Sequence, residues 1–171
     1  MNCKVYVACK MTGRDRKEML ERAAYVSDVL KAWDLTPISP VLEEKVEGIP
    51  GPLLQMSQEL LQAYWKRDKY IISDVANVVL IDEGERKSLG VEREYGFARY
   101  CLWKPTVTIL PANQGFNIAQ FEDDYVVHTV DAAAAMIAQN WGTQEQRHKW
   151  RWDMLKRTFP KWLWRQYLAW K

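Results

Sequence analysis

Short apolar runs rich in β-branched residues recur along the chain with helix-patterned segments between them, and this alternation limits the fold more than any other feature. The first run, KVYVAC (Lys4 to Cys9), leads through a turn at MTGRD into residues 16–33. There Met19, Leu20, Ala23, Ala24, Val26, Val29 and Leu30 form a helical stripe. LTPISP reads as a brief strand closed by Pro40. VLEEKVEGIPGP mixes charge with Gly48, Pro50, Gly51 and Pro52, so a loop is expected there, one able to cover a site. A helix is expected over residues 53–72, a buried strand at NVVLID (77–82) and a helix over 89–102. PTVTILP (105–111) and DYVVHTV (124–130) read as strands, and DAAAAMIAQ (131–139) as the closing helix.

Strand and helix in regular alternation build an α/β fold: a doubly wound, Rossmann- or flavodoxin-like parallel sheet of about five strands, covered on both faces. Ligands of such sheets bind beyond the carboxyl ends of the strands. The loops after Cys9, Pro40, Asp82 and Pro111 are therefore where a site is expected. The 171 residues, 48% of them hydrophobic, suffice for one such core.

Other features narrow the function classes. Cys3, Cys9 and Cys101 are an odd number of thiols, and Met1 runs into CKVYVACK without a basic-then-apolar leader. A cytoplasmic protein with reduced cysteines is expected, with Cys3 and Cys9 packed in the first strand. No apolar run approaches the ~18 residues of a membrane span. The two histidines, His128 and His148, have no partner at metal-ligand spacing, so neither a metal nor a cofactor is expected.

Charge divides the chain at about residue 141. Between Gly142 and Lys171 eight basic residues face only Glu145 and Asp153, a net +6, which leaves the rest at −4. This segment also holds five of the nine tryptophans, with Trp150 and Met154 at i, i+4 and Leu163, Tyr167 and Trp170 at i, i+4, i+7. Two domains follow: an α/β unit over 1–141, and a basic, Trp-rich tail over 142–171 made of two short amphipathic helices broken near Pro160. The tail would pack on its own domain or on a neighbouring subunit; a membrane surface or single-stranded nucleic acid is the less favoured partner.

The chemistry is sought in ERKSLGVEREYGFARY, directly after NVVLID. Ser88 stands where an N-cap would, Gly90 lets a ligand approach the backbone, and the first helical turn offers unpaired N–H groups to an anion. Glu94 falls within the first two turns, at the same end of the sheet. The plainer alternative is that Ser88 only caps, Glu92 completes the cap and Glu94 faces solvent. Arg86 and Lys87 add positive charge beside Ser88, which favours a phosphorylated ligand.

SLGVEREYGFA resembles the Ser-Leu-Gly-Val-x-x-Glu-x-Gly-x-Ala pattern of the nucleoside 2-deoxyribosyltransferase superfamily, including its deoxynucleoside 5′-monophosphate N-glycosidase branch. KVYVACKMTG is similar to that family's first strand and turn, KRDKYIISDVANVVLID to the stretch before the motif, and YVVHTVDAAAAMI to the closing strand and helix. The resemblance implies an enzyme acting on 2′-deoxynucleosides or their 5′-monophosphates and on nucleobases. Glu94 would attack C1′ to form a covalent deoxyribosyl ester, and the sugar would pass to another base or, as the alternative, to water. Ser88 would contact the 5′ end of the sugar or its phosphate. Asp68 or Asp74 would protonate the departing base, with Asp68 favoured, and Asp82 is a third candidate that could bind a sugar hydroxyl. Tyr6, Met11 and Gly13 would line the pocket, with a place in the core the favoured alternative for Tyr6. The resemblance also implies a homo-oligomer. Where relatives carry Gly-Pro after the first strand this chain has Cys9-Lys10, and where they carry Ala-Asp it has Ala76-Asn77. A non-catalytic nucleotide-binding or partner-docking protein is the rival from another class.

Overall fold

The computed structural model describes residues 2–9, 16–43, 57–82, 89–110 and 125–158, and only the backbone of residues 16, 89, 156 and 158. Five strands form one sheet: β1 (Lys4–Cys9), β2 (Thr36–Ile38), β3 (Val78–Asp82), β4 (Thr106–Ile109) and β5 (Tyr125–Val127). Their order is β2-β1-β3-β4-β5, and every pairing is parallel. Each expected strand is present, a residue or two shorter at some ends, except that β5 stops three residues before the expected end and Val130 already belongs to the next helix.

Successive side chains of a strand face opposite ways, and here both directions are apolar because both faces are covered. Val5 and Val7 of β1 join Leu80, Val107 and Ile109 beneath α1 (Arg16–Ala32) and α5 (Val130–Trp141), which contribute Val26, Leu30, Ala133, Ala134 and Ile137. Tyr6 and Ala8 point to the other face, with Val79 and Ile81. That face is closed by Ile71, Ile72, Val91 and Ala98 from the segments around α3 (Gln58–Tyr70) and α4 (Leu89–Gly96). The chain thus leaves β1 towards one face and β3 towards the other, so the switch point of the topology, where sheets of this kind bind ligands, falls between the carboxyl ends of β1 and β3.

Several elements differ in detail from the sequence reading. The start of the expected loop at VLEEKVEGIPGP forms, with Pro40, a short helix α2 (Pro40–Glu43), and residues 44–52 lie outside the described region. The helix expected over 53–72 begins at Gln58, where the Ser57 hydroxyl accepts from the Leu60 amide at 3.3 Å; residues 53–56 lie outside the described region. Both α3 and α4 widen at their ends into a π-helical turn, Ile71–Val75 and Phe97–Cys101. Bonds from Ala76 N to Ile71 O (2.8 Å) and from Leu102 N to Phe97 O (3.2 Å) close them. At the sheet's edge, Thr36 N donates to Cys3 O at 2.9 Å, and the next residue of β2 is Pro37.

The helix α6 (Gln144–Thr158) follows α5 through Gly142 and Thr143. A side chain at Gly142 would collide with the Ala138 carbonyl, so the tight turn requires glycine. Arg147 Nη1 donates to the carbonyls of Trp141 (2.8 Å) and Gly142 (3.1 Å), which α5 leaves open at its end. Trp141 is fully buried and meets Tyr125 and Trp150 edge-on, at centroid distances of 5.4 and 6.3 Å. The first helix of the tail therefore packs on the α/β core; residues 159–171 lie outside the described region.

Candidate active site

Glu94 occupies the second turn of α4, reached from the carboxyl end of β3, while Tyr6 lies in the middle of β1 beside Val79. The Tyr6 hydroxyl donates to Glu94 Oε1 at 3.0 Å. Glu94 is half-buried and is not the solvated helix residue of the plainer alternative. Tyr6 itself is 1% exposed, so it belongs to the core and the cluster at once.

Asp68, from the last turn of α3, is buried. It accepts from Arg67 Nε at 3.0 Å and Nη2 at 2.7 Å, and the guanidinium lies 5.1 Å over the Tyr64 ring. Loss of hydration, reinforced by the charge of Asp68, pushes the Glu94 carboxyl up to about 8; the Tyr6 hydrogen bond and Arg67 oppose this more weakly. Burial also raises Asp68, with Arg67 offsetting part of the effect. The Tyr6 phenol is raised by burial and then by the two carboxylates. Two adjacent carboxyls in such surroundings cannot both ionise readily, so they hold a proton between them near neutrality. One can act as acid while the other acts as nucleophile or base.

The other aspartates stand apart. Asp82 ends β3 beside Cys9 and is 2% exposed, with Arg22 of α1 bound across both oxygens at 2.8 and 3.0 Å. That hydrogen bond is the main reason the Arg22 guanidinium is raised above its ordinary value. Asp74 is exposed in the turn before β3 and accepts from the Ser73 hydroxyl. Of the two aspartates weighed as acid, only Asp68 acts on the charge of Glu94. Gly90 is exposed in the first turn of α4. Met11, Gly13, Arg86, Lys87 and Ser88 lie outside the described residues.

Sequence reasoning missed Arg67 and Arg22. Arg67 was in plain view in KRD, next to the favoured aspartate. For Arg22 the signal was a charged residue three positions after Met19 and four before Val26, within the apolar stripe of α1. Among the described residues no group of three His, Cys, Asp or Glu is arranged to hold a metal, and no helix is long and apolar enough to cross a membrane.

Neither the protein-family models nor the curated proteins include a match to this sequence. Solved structures do match. The 2-deoxyribosyltransferase of the psychrotolerant bacterium Bacillus psychrosaccharolyticus superposes with a TM-score of 0.60 at 20% identity, over 77% of this chain and 90% of that one. A conserved protein of Enterococcus faecalis V583 gives a TM-score of 0.57 at 15% identity, over 81% and 99%. The CMP N-glycosidase of Clostridium botulinum, at 12% identity and a TM-score of 0.49 over 80% and 98%, is too distant to bear on this chain. At these identities what is shared is the fold: a five-stranded parallel α/β sheet of the flavodoxin-like kind.

Proposed function

We propose that the chain is a member of the nucleoside 2-deoxyribosyltransferase superfamily. It cleaves the N-glycosidic bond of 2′-deoxynucleosides or their 5′-monophosphates and transfers the sugar to another base. The observation that carries this reading is the Tyr6–Glu94 hydrogen bond beside a second, buried carboxyl, Asp68. The likeness of fold to a 2-deoxyribosyltransferase and the SLGVEREYGFA motif support it.

In the first half-reaction a Glu94 oxygen attacks C1′ as the C1′–N bond breaks. The bonding pair leaves with the base nitrogen, and Asp68 supplies the proton that neutralises the departing base. The positive charge that develops at C1′ is met by the Glu94 carboxylate and then quenched by the ester bond. Burial leaves Glu94 protonated near neutrality in the ligand-free chain, whereas attack requires Glu94 ionised and Asp68 protonated, so the proton of the pair must pass to Asp68 in the substrate complex; Tyr6 favours this by donating to Glu94. In the second half-reaction a new base attacks C1′ from the side the first base left. Asp68 takes up its proton and the Glu94 carboxylate is released.

Incubating the protein with a panel of deoxynucleosides and deoxynucleoside 5′-monophosphates tests the reading by chromatography of released base and intact-protein mass. We expect base release by the wild type, an added deoxyribosyl mass on the protein, and loss of both by at least 10³-fold in Glu94→Ala. Free sugar formed without an acceptor base would assign transfer to water. No base release and no mass gain across the panel would overturn the enzyme reading and leave the binding protein.

A further inference from the structure

A cavity of about 300 Å³ lies at the amino ends of β3 and β4, the opposite end of the sheet from the Glu94 helix start. One wall is the turn Ser73–Asn77 with Lys104. The other is α6, whose Gln144, Arg147, His148 and Arg151 recur at i, i+3, i+4, i+7 and so form one stripe facing the cavity. A polar helical stripe ordinarily faces bulk water; this one faces a recess of ligand size.

The lining carries three basic side chains, Lys104, Arg147 and Arg151, against a single carboxylate, Asp74, which already accepts from Ser73. Two of the cations are fixed in place. Lys104, 7% exposed, donates to the carbonyls of Ser73 (2.9 Å) and Ala76, and Arg147 is held by the carbonyls ending α5. Carbonyls fix these groups without neutralising them. Among the described residues no carboxylate forms an ion pair with Arg147 or Arg151. Burial and the charge of Arg151 push Lys104 down to about 8, with Asp74 opposing, so the cations strain against one another in a way that a bound anion would relieve.

We propose that this cavity is a second ligand site, one that takes the phosphate group of a small phosphorylated molecule. Arginines one helical turn apart offer planar forks that match the oxygens of a phosphate, with Lys104 as a point charge behind them. Trp150, also on the wall, gives the organic part an aromatic surface. The site does not depend on the glycosidic reading: it stands on different residues, at the other end of the sheet.

The chain has two histidines, and only His148 lines the cavity; His128 follows β5, with Nδ1 bonded to Leu110 O. Titrating the full chain with inorganic phosphate, at ionic strength held constant with chloride, can therefore be followed from the two imidazole NMR signals. We expect a saturable shift of the His148 signal with His128 unmoved, an affinity about tenfold lower in Arg151→Gln, and partial recovery in Arg151→Lys, which keeps the charge but not the fork. Arg151 is exposed, so neither variant should disturb folding, which melting by circular dichroism would verify. An unmoved His148, equal movement of both histidines, or unchanged affinity in Arg151→Gln would overturn the proposal.

Discussion

The Tyr6 hydroxyl ends on a carboxyl that burial pushes up, and its hydrogen bond opposes that rise. Removing it separates its two roles. In Tyr6→Phe the ring still fills its place against the sheet, so the loss of stability should be that of one part-buried hydrogen bond, about 1 kcal/mol in urea unfolding. The hydrogen bond lowers the Glu94 carboxyl against the rise caused by burial, so its loss must move that carboxyl further up. A carboxyl carbon NMR titration should show the Glu94 midpoint above its wild-type position; an unchanged midpoint would mean that the phenol only fills space. The pairing could not have been inferred from spacing, since the partners are 88 residues apart on different elements. Glu94 itself was legible because its motif is local: a helix start, a close-approach glycine and a carboxylate within two turns.

At the scale of elements, the strands were readable because a strand covered on both faces is an unbroken apolar run, and such runs announce themselves. The π-helical turns after Tyr70 and Gly96 were not: they shift the bonding by one residue without altering the apolar pattern that sequence reasoning uses. Nor did the left-handed backbone at Asp34 and Trp103, φ 57° and 55°, have the usual glycine as its marker. The docking of α6 depends on packing between elements, where Trp150 meets Trp141. Trp150→Ala should therefore destabilise the whole domain by about 1–3 kcal/mol, measured by urea unfolding. A change below ~0.5 kcal/mol would mean that α6 rests on the core without supporting it.

For the molecule as a whole, the buried carboxyl ties stability to pH. The folded chain keeps the Glu94 proton up to about 8, whereas the unfolded chain releases it at the ordinary value near 4.5. Between these values the native state binds more protons, so its stability falls as pH rises, by a few kcal/mol at most. Urea unfolding from pH 4.5 to 8 should show this decline in the wild type and a flatter profile in Glu94→Gln. Parallel profiles would place the Glu94 titration at its ordinary value. Another property of the whole follows from Pro37. Because Thr36 directs its N–H to β1, the next position along β2 is the one whose N–H would point outward, and proline has none. Among the described residues β2 is the last strand on that side of the sheet, and with no donor in the middle of its three residues it is a poor template onto which a strand of another chain, native or misfolded, would zip.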